Sequence, residues 1–216
     1  MYVDDLPWSE AEQLFYALSQ CKACQTLEWI LISARNSPGN PLTAIRHLFC
    51  FTQLRNLQLI VDFPTFHLNN DFLLEAMSSW PHMRHLAFRD PDLPHHPPAT
   101  VTFRGLFAAL RRCPHLYILA LPINAVNIDV DPEVESFQHT SLRYLDVGDS
   151  DVADPEAVAR IIFSMLPCVR NGINFNDFDE FGNFDDSGTS LWNKVDDFLD
   201  AFAARDRRIE LGAPTT

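Results

Sequence analysis

A six-residue frame recurs along the chain: apolar, two variable positions, apolar, one variable position, apolar. It reads Leu27-Glu28-Trp29-Ile30-Leu31-Ile32, Leu54-Arg55-Asn56-Leu57-Gln58-Leu59, Met83-Arg84-His85-Leu86-Ala87-Phe88, Leu116-Tyr117-Ile118-Leu119-Ala120-Leu121 and Leu142-Arg143-Tyr144-Leu145-Asp146-Val147. A sixth copy spans Val169 to Phe175 if one residue is inserted, with Ile173 and Phe175 in the last two apolar slots. The alternation predicts short strands near 27–32, 54–59, 83–88, 116–121, 142–147 and 169–175.

The residues upstream of each frame follow a second, helical period. Three places before the first apolar residue stand Cys24, Phe51, Trp80, Cys113 and Leu166; six before stand Cys21, Leu48, Met77, Leu110 and Phe163; ten before stand Ala17, Ala44, Leu73, Leu106 and Ala159. These offsets lie on one face of an α-helix. Pro81, Pro114 and Pro167 follow the last helical position and end each helix before the strand, because proline lacks an amide hydrogen and disfavours a helical residue before it. The fifth frame departs from this. Asp131-Pro132-Glu133-Val134-Glu135 leads to it with no helical stripe and predicts a loop or a short 3₁₀ turn.

Start signals complete the picture. Ser9 and Glu12 read as a capping box for the first helix, ahead of Leu14, Ala17, Leu18 and Cys21. Asn69-Asn70-Asp71 caps the third helix, Arg104–Cys113 forms the fourth, and Asp154-Pro155-Glu156 opens another. A last helix near 191–204, with Leu191, Val195, Phe198, Leu199 and Phe202 on one face, caps the array, and Ile209 and Leu211 are placed in a short capping strand. Residues 90–98, with four prolines, and the acidic 176–190 read as loops. One strand and one return helix, repeated every 26 to 33 residues, is the pattern of leucine-rich repeats. The expected architecture is therefore one α/β domain over residues 1–216: a right-handed leucine-rich-repeat solenoid, about six parallel strands inside an arc and helices outside.

Charge narrows the partners. The chain has 216 residues and a net charge of −13. Residues 129–200 carry seventeen acidic and four basic side chains, which accounts for all of it. Nucleic-acid binding, which needs clustered Lys and Arg, is not expected; a soluble solenoid or a basic partner is compatible with the acidity. The N-terminus carries no basic-then-apolar leader, and no apolar run nears the ~20 residues that span a bilayer. Five cysteines without scaffold spacing complete the expectation of an intracellular protein, cytoplasmic or nuclear, that binds no membrane.

Candidate chemistry changes little. Cys21 and Cys24 have half the spacing of a zinc site but no second pair, and with Cys113 they read as buried small apolar residues. His95 and His96, near Asp90 and Asp92, sit in the proline-rich loop with nothing to fix their geometry for a metal. Asp177, Asp179, Glu180, Asp185 and Asp186 miss a calcium loop, since Phe181 and Gly188 occupy ligand positions. No metal or other cofactor is expected. No nucleophile elbow, zinc-protease helix motif or phosphate-cradling glycine loop is present, so no enzyme is expected either.

Trp80-Pro81-His82-Met83-Arg84-His85-Leu86, His95-His96-Pro97-Pro98-Ala99-Thr100-Val101-Thr102, Leu106–Leu121 with Cys113-Pro114-His115-Leu116, Ser141–Ser150 running on to Asp154–Ala159, and Trp192-Asn193-Lys194-Val195 stand in this order. Over about residues 54–208 the chain resembles the leucine-rich-repeat region of the F-box-type proteins expanded in mushroom-forming fungi. That resemblance implies a repeat surface that presents a substrate, with a separate N-terminal F-box bundle docking on the adaptor of a cullin-based ubiquitin ligase. The sequence departs from the family in one respect. The first repeat begins by Ser9, leaving no room for a bundle of ~40–50 residues. An adaptor is thus an expected partner only if the F-box is supplied elsewhere.

Residues between the buried strand positions face outward. The positions singled out for partner binding are Trp29, Asn56, Gln58, His85, Arg89, Tyr144, Asp146 and Asn174, with Trp29, Tyr144 and Arg89 of the types that most often anchor interfaces. The functional expectation is protein recognition, as the substrate-binding region of an F-box-like receptor; the alternative is a repeat scaffold unconnected to ubiquitin. The strand register is directly testable. Leu119→Ala, which deletes a buried strand residue, is expected to cost about 2–5 kcal/mol in urea unfolding, and Leu31→Ala under about 1 kcal/mol. Equal losses would mean that the two faces are exchanged.

Overall fold

The computed structural model describes residues 1–22, 26–35, 41–61, 68–89, 99–148, 150–169 and 191–210. Its elements run β1 (Tyr2–Pro7), α1 (Trp8–Ser19), β2 (Trp29–Arg35), α2 (Pro41–Ile45), a 3₁₀ segment (Arg46–Cys50), β3 (Asn56–Val61), α3 (Asn70–Ser79), β4 (His85–Arg89), α4 (Phe103–Leu110), β5 (Ile118–Ala120), β6 (Tyr144–Asp146), α5 (Pro155–Met165) and α6 (Leu191–Glu210). The protein is α/β. Among the described residues six strands form one sheet in sequence order, and every neighbouring pair is parallel.

The first five frames are strands β2 to β6, in the expected phase. Ile30, Ile32, Leu57, Leu59, Leu86, Phe88, Leu119, Leu121, Leu145 and Val147 are buried. They pack with Ala44, Leu48, Leu73, Met77, Leu106, Leu110, Ala159 and Leu166 from the helical layer in one core. Asn69, Thr102 and Asp154 cap α3, α4 and α5, each side-chain oxygen accepting a backbone N–H. The stretch before β6 is a turn rather than a helix, closed by Val134 and Glu135 N–H groups donating to Asp131 O.

The first unit does not follow the pattern. β1 stands where the sequence suggested only the approach to a helix, and it pairs with β2. α1 starts one residue before Ser9; its N-cap is Pro7, with no side-chain cap bond, so Ser9 and Glu12 make no capping box and both are exposed. Its core face is Trp8, Ala11 and Phe15, while Ala17 and Cys21 are exposed. The cause is phase: α1 ends at Ser19, so offsets counted back from Leu27 no longer fall on a continuous helix. Cys24 and residues 170–175 of the sixth frame lie outside the described residues, although Val169 is buried.

Two other differences concern the chain's later part. α4 covers Phe103–Leu110 and stops short of Cys113, which sits in the turn beyond it. α6 extends through Ile209, which excludes a capping strand at that residue. Its face is rotated from the expected one: Trp192, Val195 and Leu199 are buried and Leu191 is exposed. Trp192 is drawn inward by a hydrogen bond from its indole N–H to Ser150 O at 2.6 Å.

Successive units are tied by two sets of buried polar contacts. At the strand entrances, the side chain three places before the frame donates to the preceding unit's backbone. Trp80 Nε1 donates to Leu48 O at 3.0 Å, and Cys113 Sγ lies 3.3 Å from both Met77 O and Trp80 O. His139 Nε2 lies 2.9 Å from Cys113 O. Burial pushes the Cys113 thiol pKa up to about 12, so it remains a protonated donor. At the other end of the helices, Asn70 Oδ1 accepts from Thr102 N at 2.9 Å while Asn70 Nδ2 donates to Thr102 Oγ1 at 3.2 Å.

Gly105 makes the second contact possible. A Cβ there would collide with the Asn70 side chain. Gly→Ala within an exposed helix ordinarily stabilises by about 1 kcal/mol. Gly105→Ala is expected to do the reverse and cost about 1–3 kcal/mol in urea unfolding, because the displaced Asn70 amide gives up its bonds to Thr102.

Candidate functional site

The sheet has one face in the core and one face bare of helices. Parallel register sets the bare face out in rows. Trp29, Asn56, His85, Ile118 and Tyr144 are successive partners across β2 to β6. Leu31, Gln58, Ala87, Ala120 and Asp146 form the next row, and Ser33, Ile60 and Arg89 a third that ends at β4. Seven of the eight residues singled out from the sequence therefore share one surface; Asn174 lies outside the described residues.

Trp29 is 37% exposed at one end of the first row. Tyr144 closes the other end, its ring 5.4 Å from that of Tyr117 in an edge-to-face pair. A hydrogen bond to Tyr144 raises the pKa of the Tyr117 phenol, with Arg143 acting in the opposite direction.

In the second row, Ala87 and Ala120 are buried, contrary to the alternation rule. The physical reason is Arg89, whose guanidinium reaches Asp146 Oδ2 at 2.9 Å, two strands away. Its side chain must cross β5, and small residues beneath let it lie flat. Arg89 is consequently held in an ion pair rather than presented freely, and its buried Nε has no hydrogen-bond partner among the described residues.

His85 is the most perturbed group on the face. Burial, and then the nearby Arg89 charge, lower its pKa to about 4, so the ring is neutral near pH 7. Its Nδ1 lies 3.3 Å from Gln58 Nε2. With the amide donating, the ring proton sits on Nε2 and supplies one uncharged donor.

Around this row is a groove of 530 Å³ lined by Asn56, Arg84, His85, His115, Tyr117, Ile118 and Ser141. Five of these, Arg84, His115, Tyr117, Ile118 and Ser141, were not among the positions singled out. A signal existed: Arg84 and Tyr117 occupy the second column of the frame, and His115 and Ser141 the column just before it. Columns of a repeat stack into rows, so a polar column is readable in the same way as an apolar one.

Among the described residues no group of three or more His, Cys, Asp or Glu side chains is placed to hold a metal ion. The described cysteines form no disulfide, with Cys113 buried and Cys21 and Cys50 exposed. His95, His96 and the acidic residues 177–186 lie outside the described residues. Among the described residues no helix is long and apolar enough to cross a membrane. The chain matches no protein-family model, no curated protein and no solved structure. What is defined is an α/β protein with a parallel sheet whose open face carries a grooved, mixed aromatic and polar surface.

The sign of the His85 perturbation fixes a pH dependence. The unfolded chain binds a proton at the ordinary imidazole value of 6.5, the folded chain only near 4. Stability is therefore full above pH 6.5 and falls as pH drops from 6.5 towards 4. His139, its pKa also lowered by burial, contributes with the same sign. Denaturant unfolding across this window is expected to show a shallower decline for His85→Gln than for the unaltered chain. An equal slope would mean that His85 protonates freely when folded.

Proposed function

We propose that this chain is a leucine-rich-repeat arc that recognises another protein through the open face of its sheet, and that it acts as the substrate-binding region of an F-box-like ubiquitin-ligase receptor inside the cell. The repeat reading is supported by one unit recurring at three successive frames. In three units a turn bond closes the helix-to-strand corner, from Leu54 N to Phe51 O, Met83 N to Trp80 O and Leu116 N to Cys113 O. A paired bond then admits the strand: the N–H groups of Arg55 and Asn56 share Glu28 O, those of Arg84 and His85 share Arg55 O, and those of Tyr117 and Ile118 share Arg84 O.

The observation that carries the binding role is the bare sheet face itself. Its rows combine aromatic anchors, Trp29, Tyr117 and Tyr144, with amide and imidazole groups, and a shallow groove runs among them. That composition suits a protein surface more than a small substrate, which would need an enclosed cavity. The ubiquitin-ligase role rests on the resemblance of residues 54–208, and the intracellular setting on the described cysteines, which form no disulfide.

A photo-crosslinking side chain introduced at Gln58, on the open face, is expected to capture a partner in cells; the same group at Ser78, on α3, is not. Adducts from Ser78 alone would overturn the recognition reading. Removing the chain from cells is expected to raise the partner's abundance if the chain is a receptor for degradation. Unchanged abundance would favour the scaffold alternative.

A further inference from the structure

The entrance side of the open face carries positive charge that has no carboxylate partner among the described residues. The second column of the frame places Glu28, Arg55, Arg84, Tyr117 and Arg143 side by side, each joined to the next by a backbone hydrogen bond. Arg55 is drawn to Glu28, with Nε 3.7 Å from a carboxylate oxygen. Arg84 and Arg143 are exposed, and neither has a carboxylate partner among the described residues. Arg84 lines the groove, and Arg143 acts electrostatically on Tyr117, which also lines it. Two unpaired cations thus flank one groove on a chain whose net charge is −13.

The rest of the groove suits the same kind of ligand. His115 and Ser141 stand two places before Tyr117 and Arg143 in sequence, and His85 and Asn56 offer uncharged donors on the floor. Strand spacing of ~4.8 Å separates Arg84 on the β4 line from Arg143 on the β6 line by about 10 Å at the backbone. A peptide in the extended polyproline-II conformation advances about 9 Å in three residues and returns to the same face. Carboxylates three residues apart on a segment laid across the strands would meet both guanidinium groups, with the Tyr117 ring between them.

We infer that this groove is the docking site for an acidic, extended segment of the partner protein, its Asp or Glu carboxylates taken by Arg84 and Arg143. The inference rests on the recognition role proposed above and specifies its chemistry. Electrostatic complementarity of this kind governs association rate and partner choice more than total affinity. The chain's own acidity would then repel acidic segments everywhere except at this rim.

The test uses the whole chain and two labelled twelve-residue peptides carrying a photo-crosslinker: one with Asp or Glu at every third position, the other with Asn and Gln in their place. Anisotropy titrations in 50 mM salt are expected to show the acidic peptide binding at least tenfold more tightly than the neutral one. Arg84→Glu with Arg143→Glu is expected to abolish that difference, while Arg112→Glu, an exposed arginine outside this column, leaves most of it. Equal binding of the two peptides, or a preference that survives the double reversal, would overturn the inference. The crosslinks separate the two levels of failure. Equal binding with adducts on the open face rejects the acidic ligand and keeps the face as a recognition surface; adducts confined to the helices reject both.

Discussion

Stacking units in series creates buried backbone carbonyls at every junction, and satisfying them is the constraint on which this structure turns. The carbonyl groups at these corners face the next unit through an apolar core, where those of Leu48, Trp80 and Cys113 accept one turn N–H each and keep a second lone pair to be satisfied. Leaving one unsatisfied costs about 1–3 kcal/mol. At three successive junctions the same column of the repeat answers, with residues that combine an apolar body and one donor: the Trp80 indole, the Cys113 thiol and the His139 imidazole. The column looks merely hydrophobic in sequence, yet its chemistry is that of a capping group supplied by the following unit.

His139 shows how far this device reaches. The unit before β6 has no helix, so the backbone turn that closes the corner elsewhere is missing. The imidazole replaces it: Leu142 N donates to His139 Nδ1 at 3.2 Å. With Nδ1 accepting, the proton must reside on Nε2, which then donates to Cys113 O. One buried side chain thereby substitutes for a turn and links two units, which requires it to be neutral. The lowered pKa follows from that burial.

Most of the fold was legible because a repeat states its pattern several times, and errors fell where repetition stopped. Five frames are strands, and the offsets of Leu48, Met77 and Leu110, or Phe51, Trp80 and Cys113, all lie in the core. The first unit misled because α1 ends before the corner, which shifts Ala17 and Cys21 out of phase. β1 was illegible for a different reason: Tyr2–Pro7 contains two consecutive aspartates and a proline, and gains its strand only from the edge of β2. On the open face, alternation identified Trp29, Asn56, Gln58, His85 and Tyr144 but not what they touch. That Arg89 spans two strands to Asp146, burying Ala87 and Ala120, depends on side-chain reach, which no period encodes.

Strand length decides which part of that face can work as one surface. The strands shorten along the sheet, from seven residues in β2 to three in β5 and β6. Their entrances stay aligned, since each is fixed by the paired bond to the preceding strand's entrance carbonyl, so the length is lost at the exits. The row from Trp29 to Tyr144 therefore runs unbroken over five strands, whereas the row of Ser33, Ile60 and Arg89 stops at three. A ligand that follows the whole sheet has a continuous track only on the entrance side. The groove, the neutral His85 and the unpaired Arg84 and Arg143 all lie along that track, while the internally paired Arg89 and Asp146 lie towards the exits. The same backbone bonds that fix the stacking thus concentrate the available side-chain chemistry along one edge of the sheet.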